Sequence, residues 1–284
     1  MSKVNIILDA TMLNTFKSCP CKFNLRFNKN KTTPTLAKPL DKGITIHHGM
    51  EAYYKSLQAQ EPWEIAVNKG LVSMRVALTA GDLSSEDGNR CLAVFEECCK
   101  RWRQEDLSWQ IIAVEQAFSF VLYEDEKFRF IVIGKIDLVL SNNQYTNLPV
   151  DHKSYERDFP LSRLKDQFII YALILESNYL LVNRIGFQTS IPPKKKHKRV
   201  PLSFDPIFFE QWKKDTIKWF FLYYDCCVDG YFPMNDTSCD KYNRACEYLG
   251  VCETSGEENK IYKLETNFRT AERWDVSKGL ASKE

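Results

Sequence analysis

A carboxylate in the middle of an apolar strand is the tightest constraint this sequence sets on its fold. In the run IVIGKIDLVL, Asp137 sits among aliphatic and β-branched neighbours. A charge in such company costs free energy unless it has a partner or a cation. The alternation over Phe128–Leu140 predicts a strand. Ile111–Leu122, β-branched and aromatic, predicts another, and the polar Tyr123–Lys127 between them makes a hairpin. After a turn at Ser141–Gln144, Tyr145–Lys153 reads as a third strand that ends in Asp151, His152 and Lys153. Hairpin-linked strands can bring Asp137 and Asp151 side by side at one end of a sheet. Two such carboxylates repel unless a cation lies between them, and oxygen donors favour Mg²⁺ or Mn²⁺. Lys153, two residues past Asp151, points to the same face, where an ammonium can stabilise charge on a phosphate or orient a water. The competing reading is a surface hairpin with an ordinary Asp–Lys pair.

Around these strands the pattern is helical. Leu13–Phe27 reads as a short helix, a turn at Pro20, then more helix or extended chain, and Asn28–Lys42, with Pro34 and Pro39, as a loop. Gly43–Leu57 carries Ile46, Met50, Tyr53, Tyr54 and Leu57 at helical spacing. Helices over Trp63–Thr79 and Glu86–Gln104 follow, separated by GDLSSEDG. Beyond the three strands, Pro160–Leu175 reads as a helix. Asn183–Ser190 and Lys198–Ser203 read as strands around a basic turn, and Asp205–Cys227 as a long aromatic helix. This order predicts a mixed α/β core with a helical insertion at residues 60–107. Residues 228–252 are cysteine-rich and loop-like, and residues 253–284 a polar tail.

Composition narrows the function. The chain has 284 residues, 39 Lys and Arg against 37 Asp and Glu, and so a formal charge of +2. Any basic surface is therefore local. No apolar run is long enough to span a bilayer, the N-terminus lacks a secretory pattern, and a cytoplasmic location without membrane contact is expected. Ten cysteines in a reducing compartment point away from a disulfide framework. Cys239-x6-Cys246-x5-Cys252 lies in a segment short of apolar residues, which favours thiolate ligation over burial; a structural zinc and reduced, unliganded cysteines compete with a cluster. Cys91, Cys98, Cys99, Cys226 and Cys227 fall on helices, where packing is the default.

Five motifs taken together resemble a known family. In order they are Gly43-x-x-x-His47, Glu115, Gly134-Lys135-Ile136-Asp137, Asp151-His152-Lys153 and Gln167-x-x-x-Tyr171. The set resembles the PD-(D/E)XK nuclease superfamily, and within it the RecB/Cas4-like branch, over roughly Leu13 to Cys252. The resemblance implies a restriction-endonuclease-like α/β core, a mixed central β-sheet flanked by helices, filling residues 1–252. It implies that His47, Asp137 and Asp151 hold Mg²⁺ or Mn²⁺ with the backbone carbonyl of His152. Lys153 is then the catalytic lysine, Glu115 an acidic residue of the preceding strand, and Gln167 and Tyr171 DNA-touching or bracing residues. Iron–sulfur members of this branch bind a [4Fe–4S] cluster through one N-terminal and three C-terminal cysteines. That implies Cys19, Cys239, Cys246 and Cys252, with Cys21 as a rival to Cys19. Here the first C-terminal gap is wider than in many members.

The implied activity is a metal-dependent DNA nuclease, an exonuclease at DNA ends in recombination, repair or phage DNA metabolism. The alternatives are an adaptation nuclease of the CRISPR type acting in a complex, or a DNA-binding module with a degenerate site. The expected substrate is DNA, single-stranded or with a free end. No Walker A motif is present, so helicase activity belongs to a partner protein. For the string PKKKHKR, a solvated turn competes with phosphate contact by Lys194, Lys195, Lys196, Lys198 and Arg199. Lys22, Arg26, Lys100, Arg101 and Arg103 are further candidate phosphate contacts. Trp102 and Trp109 are candidates for base stacking or for the core.

Overall fold

Extended chain at Val4–Asp9 turns into helix where the Asp9 carboxylate accepts the Met12 backbone N–H at 2.7 Å, a side-chain N-cap. From there a computed structural model describes residues 3–34, 38–240 and 244–271. Their elements begin with β1 (Val4–Asp9), α1 (Ala10–Ser18), α2 (Pro20–Phe23), a π-helical turn (Asn24–Asn28) and β2 (Lys31–Thr32). Next come α3 (Lys38–Gln58), α4 (Trp63–Ala80), α5 (Ser85–Ser108), β3 (Gln110–Glu124), β4 (Phe128–Ser141) and β5 (Leu148–Tyr155). Then follow α6 (Asp166–Ile174), β6 (Tyr179–Gly186), α7 (Pro193–Lys196), β7 (Lys198–Ser203) and α8 (Pro206–Asp229). Last are α9 (Leu249–Cys252), α10 (Glu257–Asn267) and β8 (Arg269–Thr270). The chain divides into two units, residues 1–35, 118–134 and 210–284 in one, residues 36–117 and 135–209 in the other.

The second unit carries the mixed sheet and the helical insertion. The C-terminal part of β4 pairs antiparallel with β5, Leu138 facing Val150. Strand β5 runs parallel to β6, with Asp151 beside Val182 and Lys153 beside Arg184, and β6 runs antiparallel to β7. A parallel neighbour needs a crossover, and α6 lies in it. On one sheet face Leu138, Leu140, Leu148, Val150, Ile185 and Phe187 pack against buried residues of α3, α4 and α5. Each such side chain withdrawn from water contributes about 1.5–3 kcal/mol. Along α5 the buried set Cys91, Val94, Phe95, Cys98, Cys99, Trp102 and Asp106 has the expected helical period. Helices α3 and α4 approach closely because Gly70 has no side chain: a Cβ there would collide with Phe95 and reach 3.0 Å from the Gly49 carbonyl.

In the first unit β1 runs parallel to the N-terminal part of β4, with Ile6 beside Phe130. Phe130 stacks on Phe220 of α8 at 5.0 Å between ring centroids, and Phe16 and Phe23 pack edge-on to Tyr223. Strands β2 and β8 form a two-stranded antiparallel ribbon.

The α/β architecture and the helices α4 and α5 agree with expectation. Several details differ. Strand β1 is not expected from the sequence, because its partner in β4 lies over a hundred residues away. Helix α6 starts at Asp166 rather than Pro160, with Lys165 at its N-cap. Strand β6 starts at Tyr179 rather than Asn183, because the alternation of Leu180 and Val182 already belongs to it. The basic turn contains one helical turn, α7. Part of the polar tail is helical: Leu264 of α10 packs with Leu25, Tyr248 and Val251. Residues 272–284 lie outside the described residues.

Candidate active site

On the other face of the sheet in the second unit, strand alternation brings the acidic residues together. The β4–β5 register, extended by one residue, sets Asp137 opposite Asp151. The His152 backbone N–H donates to Asp137 Oδ2 at 2.8 Å. Lys153 Nζ donates to Asp151 Oδ1 at 2.9 Å and to Gln167 Oε1 at 3.0 Å. Gln167 Nε2 donates to the Tyr171 hydroxyl at 2.8 Å, and that hydroxyl donates to the Lys135 carbonyl at 2.5 Å. Their four-residue spacing puts Gln167 and Tyr171 on one side of α6, and the pair braces Lys153 against β4.

Helix α3 delivers His47. A Cβ on Gly43 would lie 3.3 Å from Ser154 Oγ, so glycine lets the start of α3 come down on β5. His47 Nε2 lies 3.0 Å from the His152 carbonyl oxygen, and Nδ1 lies 3.7 Å from Asp137 Oδ2. Glu115 comes from β3 with φ of 54°. A left-handed residue within a strand re-aims its side chain and is a conformation that clusters at functional sites. Its carboxylate pairs with Lys135 Nζ at 2.5 Å. One donor atom each from His47, Glu115 and Asp137 lies within 4.8 Å of the others.

The electrostatics fit a divalent cation. Burial, then the neighbouring Asp151 charge, pushes the Asp137 carboxyl up to about 7. Burial likewise raises Glu115. Asp151 is fully buried, and its Oδ2 has no hydrogen-bond partner. A buried carboxylate oxygen with an open lone pair, beside a second carboxyl group whose charge burial and repulsion oppose, is a donor set short of a positive charge. Burial, then Lys153, holds the half-buried His47 below its ordinary value, so its imidazole is neutral and able to ligate. Burial opposes the charge on Lys153, but Asp151 and Asp137 outweigh it and hold the ammonium above its ordinary value.

Support behind the site was not visible in the motifs. The His152 ring stacks on Tyr54 at 5.5 Å, 10° from parallel, and its Nδ1 lies 3.2 Å from Asn183 Nδ2. The Tyr54 hydroxyl donates to buried Asp106 at 3.1 Å, and Arg199 pairs with that same carboxylate. Thus α5 of the insertion reaches the backbone that holds Asp137. The only available signal was an unexplained acid at the end of an amphipathic helix.

The basic string divides. Lys194 and Lys195 are exposed. Lys196 is buried and pairs with Glu97 at 2.5 Å. Arg199, its side chain 9% exposed, pairs with Glu105 at 3.0 Å and with Asp106, and lies over Trp102. Lys198 pairs with Asp158 at 3.1 Å. Lys196 and Arg199 thus hold the fold together, which leaves the exposed Lys194 and Lys195 as candidate phosphate contacts. Trp102 is core, and Trp109 packs near Tyr145. On α5, Lys100, Arg101 and Arg103 pair with Glu96, Glu105 and Glu64, and Lys22 pairs with Glu247. Arg26 lies over Phe27.

In the first unit the terminal cysteines meet. Cys19, Cys239, Cys246 and Cys252 line one cavity with Lys22, Met234, Ser238 and Tyr248. Cys21 Sγ lies 3.9 Å from Cys252 Sγ. Asn235 Nδ2 donates to the Ser18 carbonyl at 2.8 Å, and Cys21 N–H donates to the Pro233 carbonyl at 3.1 Å. These bonds hold the two distant segments together. Cys91, Cys98, Cys99 and Cys226 are buried, as packing predicts, whereas Cys227 is exposed.

Among the described residues no helix is long and apolar enough to cross a membrane. No curated protein gives a significant match. The model of the PD-(D/E)XK nuclease superfamily matches residues 8–253, with His47, Asp137, Asp151 and Lys153 all inside that span, and the chain belongs to that superfamily.

Proposed function

We propose that this chain is a divalent-metal-dependent deoxyribonuclease that hydrolyses phosphodiester bonds at DNA ends, acting on single strands or on duplexes with a free end. The convergence of Asp137, Asp151 and His47 beside Lys153 carries the reading. Asp137, Asp151, His47 and the His152 carbonyl would hold Mg²⁺ or Mn²⁺, with Glu115 close by. Such an ion, when bound, supplies an activated water and relief of charge on the phosphoryl group. The chain's own part is positioning. The His152 N–H fixes Asp137. Asp151 holds the Lys153 ammonium, which Gln167 and Tyr171 brace at the place where a phosphate oxygen gathers charge. Exposed Lys194 and Lys195 add phosphate attraction.

Cys19, Cys239, Cys246 and Cys252 are proposed ligands of a [4Fe–4S] cluster that ties the N-terminal helices to the C-terminal segment. A cavity lined by sulfurs from both segments supports this reading. Mononuclear zinc needs its thiolates gathered around Zn–S bonds of about 2.3 Å. Cys21 Sγ and Cys252 Sγ lie 3.9 Å apart, so zinc is the alternative that metal analysis of the purified chain tests.

The test is digestion of end-labelled linear single-stranded DNA with Mg²⁺ or Mn²⁺, comparing wild type with Lys153→Ala. Metal-dependent digestion by the wild type alone is expected, and the product ladder gives the direction. No digestion by cluster-replete wild type overturns the assignment as an autonomous nuclease.

A further inference from the structure

Two further cations stand near Lys153 with less compensation than Asp151 gives it. Arg184 stands next to Lys153 in the parallel β5–β6 register and so projects from the same face of the sheet. It is 5% exposed. Its Nη1 pairs with Asp158 Oδ1 at 2.7 Å, while Nε and Nη2 are buried without hydrogen-bond partners. Buried donors are nearly always paired in folded proteins, so this guanidinium has unspent capacity for an anion.

Lys165, half-buried at the start of α6, is the second. Its ammonium lies 5.3 Å from the Phe159 ring centroid and 5.5 Å from that of Phe168. The Phe159 ring also faces Arg184, at 4.7 Å, and the Phe168 ring also faces Lys153, at 6.0 Å. Cations and rings thus alternate in a row: Arg184, Phe159, Lys165, Phe168, Lys153. Ring faces attract each cation, but they do not cancel like-charge repulsion. Burial, then Lys153 and Arg184, holds the Lys165 ammonium below its ordinary range. The start of α6 adds a partial positive charge, offset in part by buried Asp166 in its first turn.

We propose that Lys165, backed by Arg184 and the start of α6, holds the substrate-strand phosphate that neighbours the one at Lys153. This rests on the nuclease reading above and adds a strand-positioning residue to it. The row gives the strand a direction across the site, from Lys153 towards Arg184. Asp158, exposed and shared between Arg184 and Lys198, is the resident anion that the phosphate competes with.

The experiment is single-turnover cleavage, with Mg²⁺, of single strands in which one phosphate at a time is a neutral methylphosphonate. It uses wild type, Lys165→Gln, Lys165→Arg and Asp158→Asn. Neutralising the phosphate next to the cut should slow wild type on the order of tenfold, the size of one charge-assisted contact. The same change should not slow Lys165→Gln further. Lys165→Arg should restore sensitivity. Asp158→Asn should bind the strand more tightly, and Lys165→Gln should lower the salt slope of binding by about 0.7. Equal sensitivity of wild type and Lys165→Gln to every neutral phosphate, with both cleaving, overturns this proposal alone. No metal-dependent cleavage by wild type overturns the nuclease reading and this proposal with it.

Discussion

Asp137 binds its proton more tightly in the folded chain than in the unfolded one. Its carboxyl lies at about 7 when folded, against about 3.9 when exposed. The stability from this protonated group is fully present below pH 4 and is lost as pH rises through 7. Metal-stripped wild type should therefore melt progressively lower between pH 5 and pH 8. Asp137→Asn, which cannot ionise, should show a shallower decline over that window, and Mn²⁺ should raise the wild-type melting temperature most at the alkaline end. Parallel melting curves for the two proteins would contradict this assignment of the charge. Asp137, Asp151 and Lys153 were legible because a period-two strand exposes any charge that breaks its apolar pattern. Lys196 and Arg199 were misleading for the opposite reason. A basic string says nothing about Glu97 and Asp106, which reach it only through the fold. Arg199→Met strands Asp106 as a buried unpaired charge and should cost about 3–5 kcal/mol by denaturant unfolding. The salt dependence of DNA binding should stay unchanged; a fall in its slope would return Arg199 to the phosphate contacts.

At the scale of elements, the helical insertion is a support rather than an appendage. Helices α3, α4 and α5 share one core with β4, β5 and β6, and the Tyr54–His152 stack passes that packing to the site. The close approach of α3 and α4 depends on Gly70, where Cβ has no room beside the Phe95 ring. Gly70→Ala should destabilise the chain by about 1–3 kcal/mol through overpacking, seen as a lower midpoint in urea. An unchanged midpoint would mean that Phe95 moves aside freely. These helices were readable because their apolar stripes are long and periodic. Strand β1 was not, since six residues carry little pattern and its parallel partner in β4 is distant. Helix α10 was hidden by its charge, because among its described residues Leu264 is the one that is buried.

At the scale of the whole chain, each of the two units holds one candidate centre. The carboxylates and Lys153 lie in the second, and the cysteines that meet from both ends of the sequence lie in the first. Superfamily membership carries metal-dependent nuclease chemistry to the chain, while the cysteine centre rests on its own geometry. Anaerobically purified wild type should be brown and contain about four irons per chain, as a cubane cluster requires. Cys246→Ser should lose iron and melt lower. A colourless, iron-free wild type would remove the cluster. The carboxylate centre is tested most directly by the rate at which wild type and Asp151→Asn digest end-labelled linear single-stranded DNA in Mn²⁺. The geometry predicts rapid, chelator-sensitive digestion by wild type and a loss of at least about a thousandfold in Asp151→Asn, roughly 4 kcal/mol in the barrier. Digestion by Asp151→Asn at the wild-type rate would contradict it.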